Sequence, residues 1–96
     1  MKKRVYLVRT EGSDYLTRAL PRCKYLDYGK AVAFVKAVIK VYLEYKKRDT
    51  SDMLVHTCER ENDVLGYRIQ MVFSHKGWYT IVIARVEPSW DIYRDE

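Results

Sequence analysis

The side chains of this chain that could do chemistry are few and scattered. Its soft metal ligands are two cysteines and two histidines, Cys23, His56, Cys58 and His75. His56 and Cys58 stand two apart, so on a strand they point to one face, and the four together are formally enough for tetrahedral zinc. Structural zinc sites take a close pair of ligands from each of two turns, and only one such pair exists here. The spacing therefore predicts ordinary half-buried residues, with no metal and no other cofactor. For acid–base work the candidates are His56, Glu59, Arg68 and Arg85, a set that any small domain collects. There is no phosphate-binding glycine loop, HExxH helix or Gly-x-Ser-x-Gly elbow. No residue is nominated as catalytic.

Charge carries more information. The net charge of +5 hides a split: residues 1–48 hold 13 Lys+Arg against 4 Asp+Glu, and residues 49–96 hold 5 against 9. The balances are +9 and −4, which sum to +5. Such asymmetry suits an anionic partner or head-to-tail self-association, although charge runs often only solvate a face. The candidate phosphate contacts are Lys3, Arg4, Lys36, Lys40, Lys47 and Arg68, with Tyr6, Tyr25 or Tyr28 able to stack on bases. The candidate protein-partner contacts are Trp90 and Tyr93, aromatic anchors in a short acidic stretch over residues 88–96.

These side chains have to be positioned by a single domain, since 96 residues at 48% hydrophobic provide one modest core. The most secure element is a helix over Tyr28–Arg48. Ala31, Phe34, Val35, Val38, Tyr42 and Tyr45 recur at three- and four-residue intervals, with Lys36, Lys40, Glu44 and Lys47 opposite. Asp27 is the expected N-cap, and Lys46, Lys47 and Arg48 complement the helix dipole. Val32, Ile39 and Leu43 widen the apolar stripe, which implies a deep position or a second contact. Phe34, Phe73 and Ile83 are expected in the core.

Before the helix, Arg4–Thr10 is apolar on both faces and belongs inside a sheet. Ser13 caps a short helix over Asp14–Leu20 that Pro21 ends, and Cys23–Leu26 is expected to be irregular or weakly extended. After it come a strand over Met53–Arg60, a turn at Glu61–Asp63, and a strand over Val64–Ser74 with Leu65, Tyr67, Ile69, Met71 and Phe73 on the core side. A tight hairpin at His75–Gly77, with Gly77 left-handed, returns the chain through Trp78–Glu87 until Pro88. Both faces of that last strand are largely apolar, which predicts a central place. The expected fold is α+β: one long amphipathic helix on a mainly antiparallel sheet of about four strands, in the order β-(α)-α-β-β-β. The second sheet face, with Val72, Thr80 and Val82, reads as too apolar for water. That predicts a homodimer or a partner site, unless Tyr6, Trp90 and Tyr93 fold over it.

The segment Gly66-Tyr67-Arg68-Ile69 through the hairpin to Ile83, followed by Tyr93, resembles the C-terminal strands of the RelE/ParE toxin superfamily. The resemblance implies a strand, two helices and three antiparallel strands, and cleavage of mRNA on the ribosome with Arg68 and Tyr93 as active-site residues. The chain departs from that family in its short first helix, in His56 and Cys58 where lysines are usual, and in Glu87 or Pro88 where a second arginine is expected.

No apolar run of about 18 residues is present and the N-terminus has no signal-peptide pattern, so an intracellular, soluble protein without membrane contact is expected. A single Asn and a single Gln beside abundant charge is the drift of thermophile proteins, and predicts melting above the ordinary range of about 45–65 °C. The overall expectation is a small non-enzymatic binding or inhibitory protein that docks on a protein or nucleoprotein target, in the style of viral and mobile-element proteins. The alternatives are a DNA- or RNA-binding protein using its basic N-terminal half, and a RelE/ParE-like ribonuclease toxin.

Overall fold

A computed structural model describes residues 2–12, 14–20, 22–49, 52–62 and 64–92. The elements in chain order are β1 (Lys2–Glu11), α1 (Asp14–Ala19), β2 (Cys23–Tyr25), α2 (Tyr28–Asp49), β3 (Met53–Asn62), β4 (Gly66–His75) and β5 (Trp78–Ile92). The five strands form one sheet in the order β2-β1-β5-β4-β3, and every neighbouring pair is antiparallel. The α+β class and the long helix on an antiparallel sheet hold, with five strands in place of about four. The added strand is β2, whose Cys23 and Tyr25 pair with Val8 and Tyr6. Two side chains turned toward the core make even three residues worth a strand.

Alternation along the strands sends one set of side chains toward the helices. Val8, Tyr67, Ile69, Met71, Phe73, Val82, Ala84 and Val86 meet Leu16 and Leu20 of α1 and Ala31, Val32, Val35, Ile39 and Tyr42 of α2 in one buried cluster. Tyr42 packs edge-on against Phe73, with ring centroids 6.0 Å apart. The buried helix stripe is rotated from the expected one. Phe34 is 37% exposed and Tyr45 43%, whereas Val32 and Ile39, which had looked surplus, are core. Phe34 leans on Tyr25 of β2 at 5.9 Å and shares a shallow groove with Ala19 of α1, so α2 turns Val32 and Ile39 onto the sheet and leaves Phe34 at its edge. Ile83 and Leu65 also leave the core, Ile83 because it alternates onto the opposite sheet face and Leu65 because it lies in the β3–β4 turn.

Two turns set the registers of the C-terminal strands. Lys76 (φ 48°) and Gly77 (φ 87°) are both left-handed, as a two-residue type I′ hairpin requires, so His75 pairs with Trp78 and the ladder runs up from there. Between β3 and β4 the turn falls later than expected. Asn62 Oδ1 accepts from the N–H of Val64 (2.7 Å) and Leu65 (3.1 Å), an Asx turn that keeps Asn62 paired at the end of β3. Pro88 does not end β5. It pairs with Tyr6 of β1, and on its other side β4 has already finished, since the last β4–β5 pair is Tyr67 with Val86. The missing proline N–H therefore interrupts no ladder on that side. Residues 88–92 are thus strand. Ser13, Pro21 and Tyr93 lie outside the described residues.

The two oppositely charged halves are stitched together by the fold. Lys36 of α2 meets Glu59 of β3 (3.7 Å), Lys46 meets Asp52 (2.7 Å), and Arg9 of β1 meets Glu87 of β5 (3.2 Å). Lys46 also sits over the rings of Phe73 (5.3 Å) and Tyr42 (5.8 Å). Asp52 in turn contacts His75 Nδ1 at 2.5 Å, so one carboxylate ties the helix end to the β4–β5 hairpin. No described helix is long and apolar enough to cross a membrane.

Candidate functional site: an arginine row on the open sheet face

Both helices pack on one face of the sheet. The other, here the outer face, carries the side chains that alternate away from the core, and neither helix packs on it. From β1 these are Val5, which is only 2% exposed, Leu7, Arg9 and Glu11; from β5, Tyr79, Ile81, Ile83, Arg85 and Glu87; from β4, Arg68, Gln70, Val72 and Ser74; from β3, His56, Cys58 and Arg60. Thr80 and Val82, expected here, belong to the helix side, where Val82 is buried. Tyr6, one of the residues that could alternatively have covered this face, packs on Tyr28 of α2 at 5.2 Å. The second face is apolar in part, through Ile81, Ile83 and Val72.

Register brings four arginines into line across it. Arg60 pairs with Arg68, Arg68 with Arg85, and Arg85 with Arg9. At about 4.8 Å between strands, the row spans about 14 Å. Like charges set directly opposite destabilise a sheet, and here three such pairs follow one another with only two carboxylates among them. Glu87 bridges Arg9 (3.2 Å) and Arg85 (3.4 Å), and Glu11 lies 3.9 Å from Arg85. Arg68 donates to the Gln70 side-chain oxygen at 2.8 Å. The Arg85 Nε is buried without a hydrogen-bond partner among the described residues. Positive charge is thus least compensated at Arg60 and Arg68.

Those two, with Arg85, line an open cleft of about 690 Å³ that the β3–β4 turn flanks with Val64 and Leu65, both largely exposed. The turn stands where it does because of Gly66. Its φ of +86° is left-handed, and a Cβ there would come within 2.0 Å of the Val86 carbonyl oxygen. Behind the cleft, on the helix side, Tyr67 is buried under Lys36, whose Nζ lies 5.4 Å from the ring centre. Burial, together with the negative charge of Glu59 and Glu61, pushes the Tyr67 phenol well above its ordinary range. It is a proton-holding hydroxyl and no acid for neutral-pH chemistry.

The candidate residues named from sequence are dispersed by the fold. Arg68 lies at the centre of the row. Arg4 is on the helix side, its guanidinium 6.0 Å from the Tyr6 ring. Lys36 is engaged with Glu59 and Tyr67, while Lys40 and Lys47 border a separate apolar groove with Leu54 and Phe73. Lys3 pairs through its backbone with Asp91, and Trp90 through its backbone with Arg4. Cys23 and the pair His56 and Cys58 are on opposite edges of the sheet, four strand spacings or about 19 Å apart. That separation precludes both a shared metal ion and a bridge between Cys23 and Cys58. Of the acid–base set, His56, Arg68 and Arg85 share the outer face and Glu59 lies on the other. Arg9 and Arg60 were not nominated at all. Compared with known proteins, the chain matches no protein family, no curated protein and no solved structure.

Proposed function

We propose that this is a non-enzymatic binding protein that docks on a macromolecular target through the outer face of its sheet. The observation that carries the reading is the arginine row: four like charges aligned across adjacent strands at a cost in stability, on the sheet face opposite both helices. Around it nothing is arranged for bond-making. His56 stands two rungs of the ladder away from Arg60, and no described side chain pairs a nucleophile with a base. The hairpin tip extends the same surface with Tyr79 and Ile81, both exposed, which suits a broad contact.

The test compares partners captured by the wild-type protein with those captured by two double variants. Arg60→Gln with Arg68→Gln alters the outer face, and Lys40→Ala with Lys47→Ala alters the helix. A partner lost only with the arginine variant supports the reading. A partner indifferent to the arginines, or lost only with the lysines, overturns it.

A second reading keeps the face but makes it catalytic. Arg68 and Arg85 are directly opposed with His56 on the same face, which gives the RelE/ParE-like ribonuclease proposal a second arginine that linear spacing did not offer. It requires growth arrest on expression that Arg68→Ala relieves. The open edge of β3, ten residues long with Met53 and Val55 exposed, also supports self-pairing into a homodimer. Light scattering at micromolar concentration decides that point, and a monomer removes it.

A further inference from the structure

We infer that the occupant of the outer face is the phosphate backbone of a nucleic-acid duplex, lying along the arginine row. This rests on the docking reading above and goes beyond it by naming the partner.

The row has the dimensions for such a ligand. Its length of about 14 Å equals the axial rise of about four phosphates on one strand of a duplex, at about 3.4 Å each. Arginine is suited to this contact because its planar fork binds phosphate oxygens two at a time and stays charged at any working pH. Glu87 and Glu11 engage Arg9 and Arg85 on their flanks, leaving Arg60 and Arg68 as the principal phosphate ligands above the cleft.

The surroundings of the row favour a duplex over a single strand. Proteins that hold single strands pair a basic track with aromatic rings on which each unpaired base stacks. Here the rungs on either side hold Leu7, Glu87, Gly66 and Asn62, and Glu11, Ile83, Gln70 and Cys58. None is aromatic. Among the described residues the nearest outer-face ring, Tyr79, is six residues along β5 from Arg85, about 20 Å away. A single strand on this row would leave its bases in water, whereas a duplex keeps them stacked and presents only phosphates. The amide oxygens of Gln70 and Asn62 beside the row are already taken by Arg68 and by the β3–β4 turn, so the contacts go to phosphates and binding is independent of sequence.

The experiment is fluorescence anisotropy with a labelled mixed-sequence DNA duplex and an RNA duplex. One strand of each alone and phosphatidylserine vesicles compete in parallel. Contact with two to four phosphates predicts log–log salt slopes of about −1.8 to −3.6, so affinity falls by roughly 12- to 150-fold between about 50 and about 200 mM salt. Arg60→Gln and Arg68→Gln each flatten the slope by about 0.9, Arg68→Lys keeps the slope, and Lys40→Ala with Lys47→Ala leaves it unchanged. Melting curves for each variant confirm folding. Absence of duplex binding at low salt overturns the proposal, as does preference for the single strand or the vesicle, or a slope that responds only to the lysines. If Arg60→Gln with Arg68→Gln abolishes capture of a cellular partner while no duplex binds, docking stands and the duplex assignment falls.

Discussion

Replacing Arg68 with glutamine provides the most direct test of whether the arginine row is held for binding or for structure. Arg68 is flanked by two directly opposed arginines, Arg60 and Arg85. With guanidinium groups about 6 Å apart in a water-like dielectric, each repulsion is worth about 0.7 kcal/mol, and about half that at physiological salt. Removing both returns about 0.7 kcal/mol, against which stands the lost hydrogen bond to Gln70, worth about 0.5–1 kcal/mol net. The variant should be neutral at physiological salt and more stable than wild type at low salt, where relief approaches about 1.4 kcal/mol less the same hydrogen bond. A gain of that order raises Tm by a few degrees in a domain this small. Arg85→Gln behaves oppositely, because it strips Glu87 and Glu11 of a counter-ion and costs stability at low salt. Urea or thermal melts of both variants at low and high salt provide the readout. If Arg68→Gln loses more than about 1 kcal/mol at every salt concentration, the residue is a structural support and the argument from unfavourable charge fails.

Gly66→Ala should be among the most damaging small substitutions, since its φ is left-handed and the new methyl would press on the Val86 carbonyl. A loss of about 2–4 kcal/mol by urea melt, with displacement of the β3–β4 turn and weaker outer-face binding, is expected. Asp52 has its pKa lowered by the hydrogen bond from Lys46 and by His75 beside it, burial opposing. A lowered folded pKa means the stabilisation is present above the unfolded value of 3.8 and is lost as pH falls through the folded value. Asp52→Asn should therefore lower Tm at neutral pH and flatten the decline below about pH 4, as acid melts would show. Tyr67 has its pKa raised by burial, then by Glu59 and Glu61, so its contribution is intact below the unfolded value of 10.0 and lost as pH rises beyond it. Alkaline titration with absorbance of tyrosinate should show one phenol ionising only with unfolding, and Tyr67→Phe should remove that one.

The sequence reveals the elements more readily than the site. The long helix, the β4 alternation and the hairpin at Lys76-Gly77 follow from local periodicity and turn chemistry. The rotation of the helix stripe does not, because which of Val32 and Phe34 is buried depends on how α2 is turned against the sheet, a tertiary choice that periodicity leaves open. The hairpin register already implies that Arg68 opposes Arg85: a two-residue turn pairing His75 with Trp78 pairs every position whose numbers have the same sum. Arg60 joins them only once the turn is placed after Asn62, two residues on from where the polar run suggests. Arg9 was illegible, since nothing local dictates that the first strand pairs with the last.

Counting charge by halves of the chain directs attention to the basic half, yet the fold spends much of that charge internally. Lys36, Lys46 and Arg9 each meet a carboxylate from the acidic half. Three of the four arginines of the row, Arg60, Arg68 and Arg85, come from that acidic half, whose negative formal balance conceals them. They are segregated by alternation: on β3, Glu59 and Glu61 point toward the helix side, where they serve Lys36 and Tyr28, while Arg60 between them points out. Period-two alternation therefore sorts a nearly neutral strand into an acidic inner edge and a basic outer one. Surface electrostatics here follow face and register, not linear position. That is why neutralising Arg60 and Arg68 should weaken phosphate binding far more than removing Lys40 and Lys47, although all four substitutions change the net charge alike.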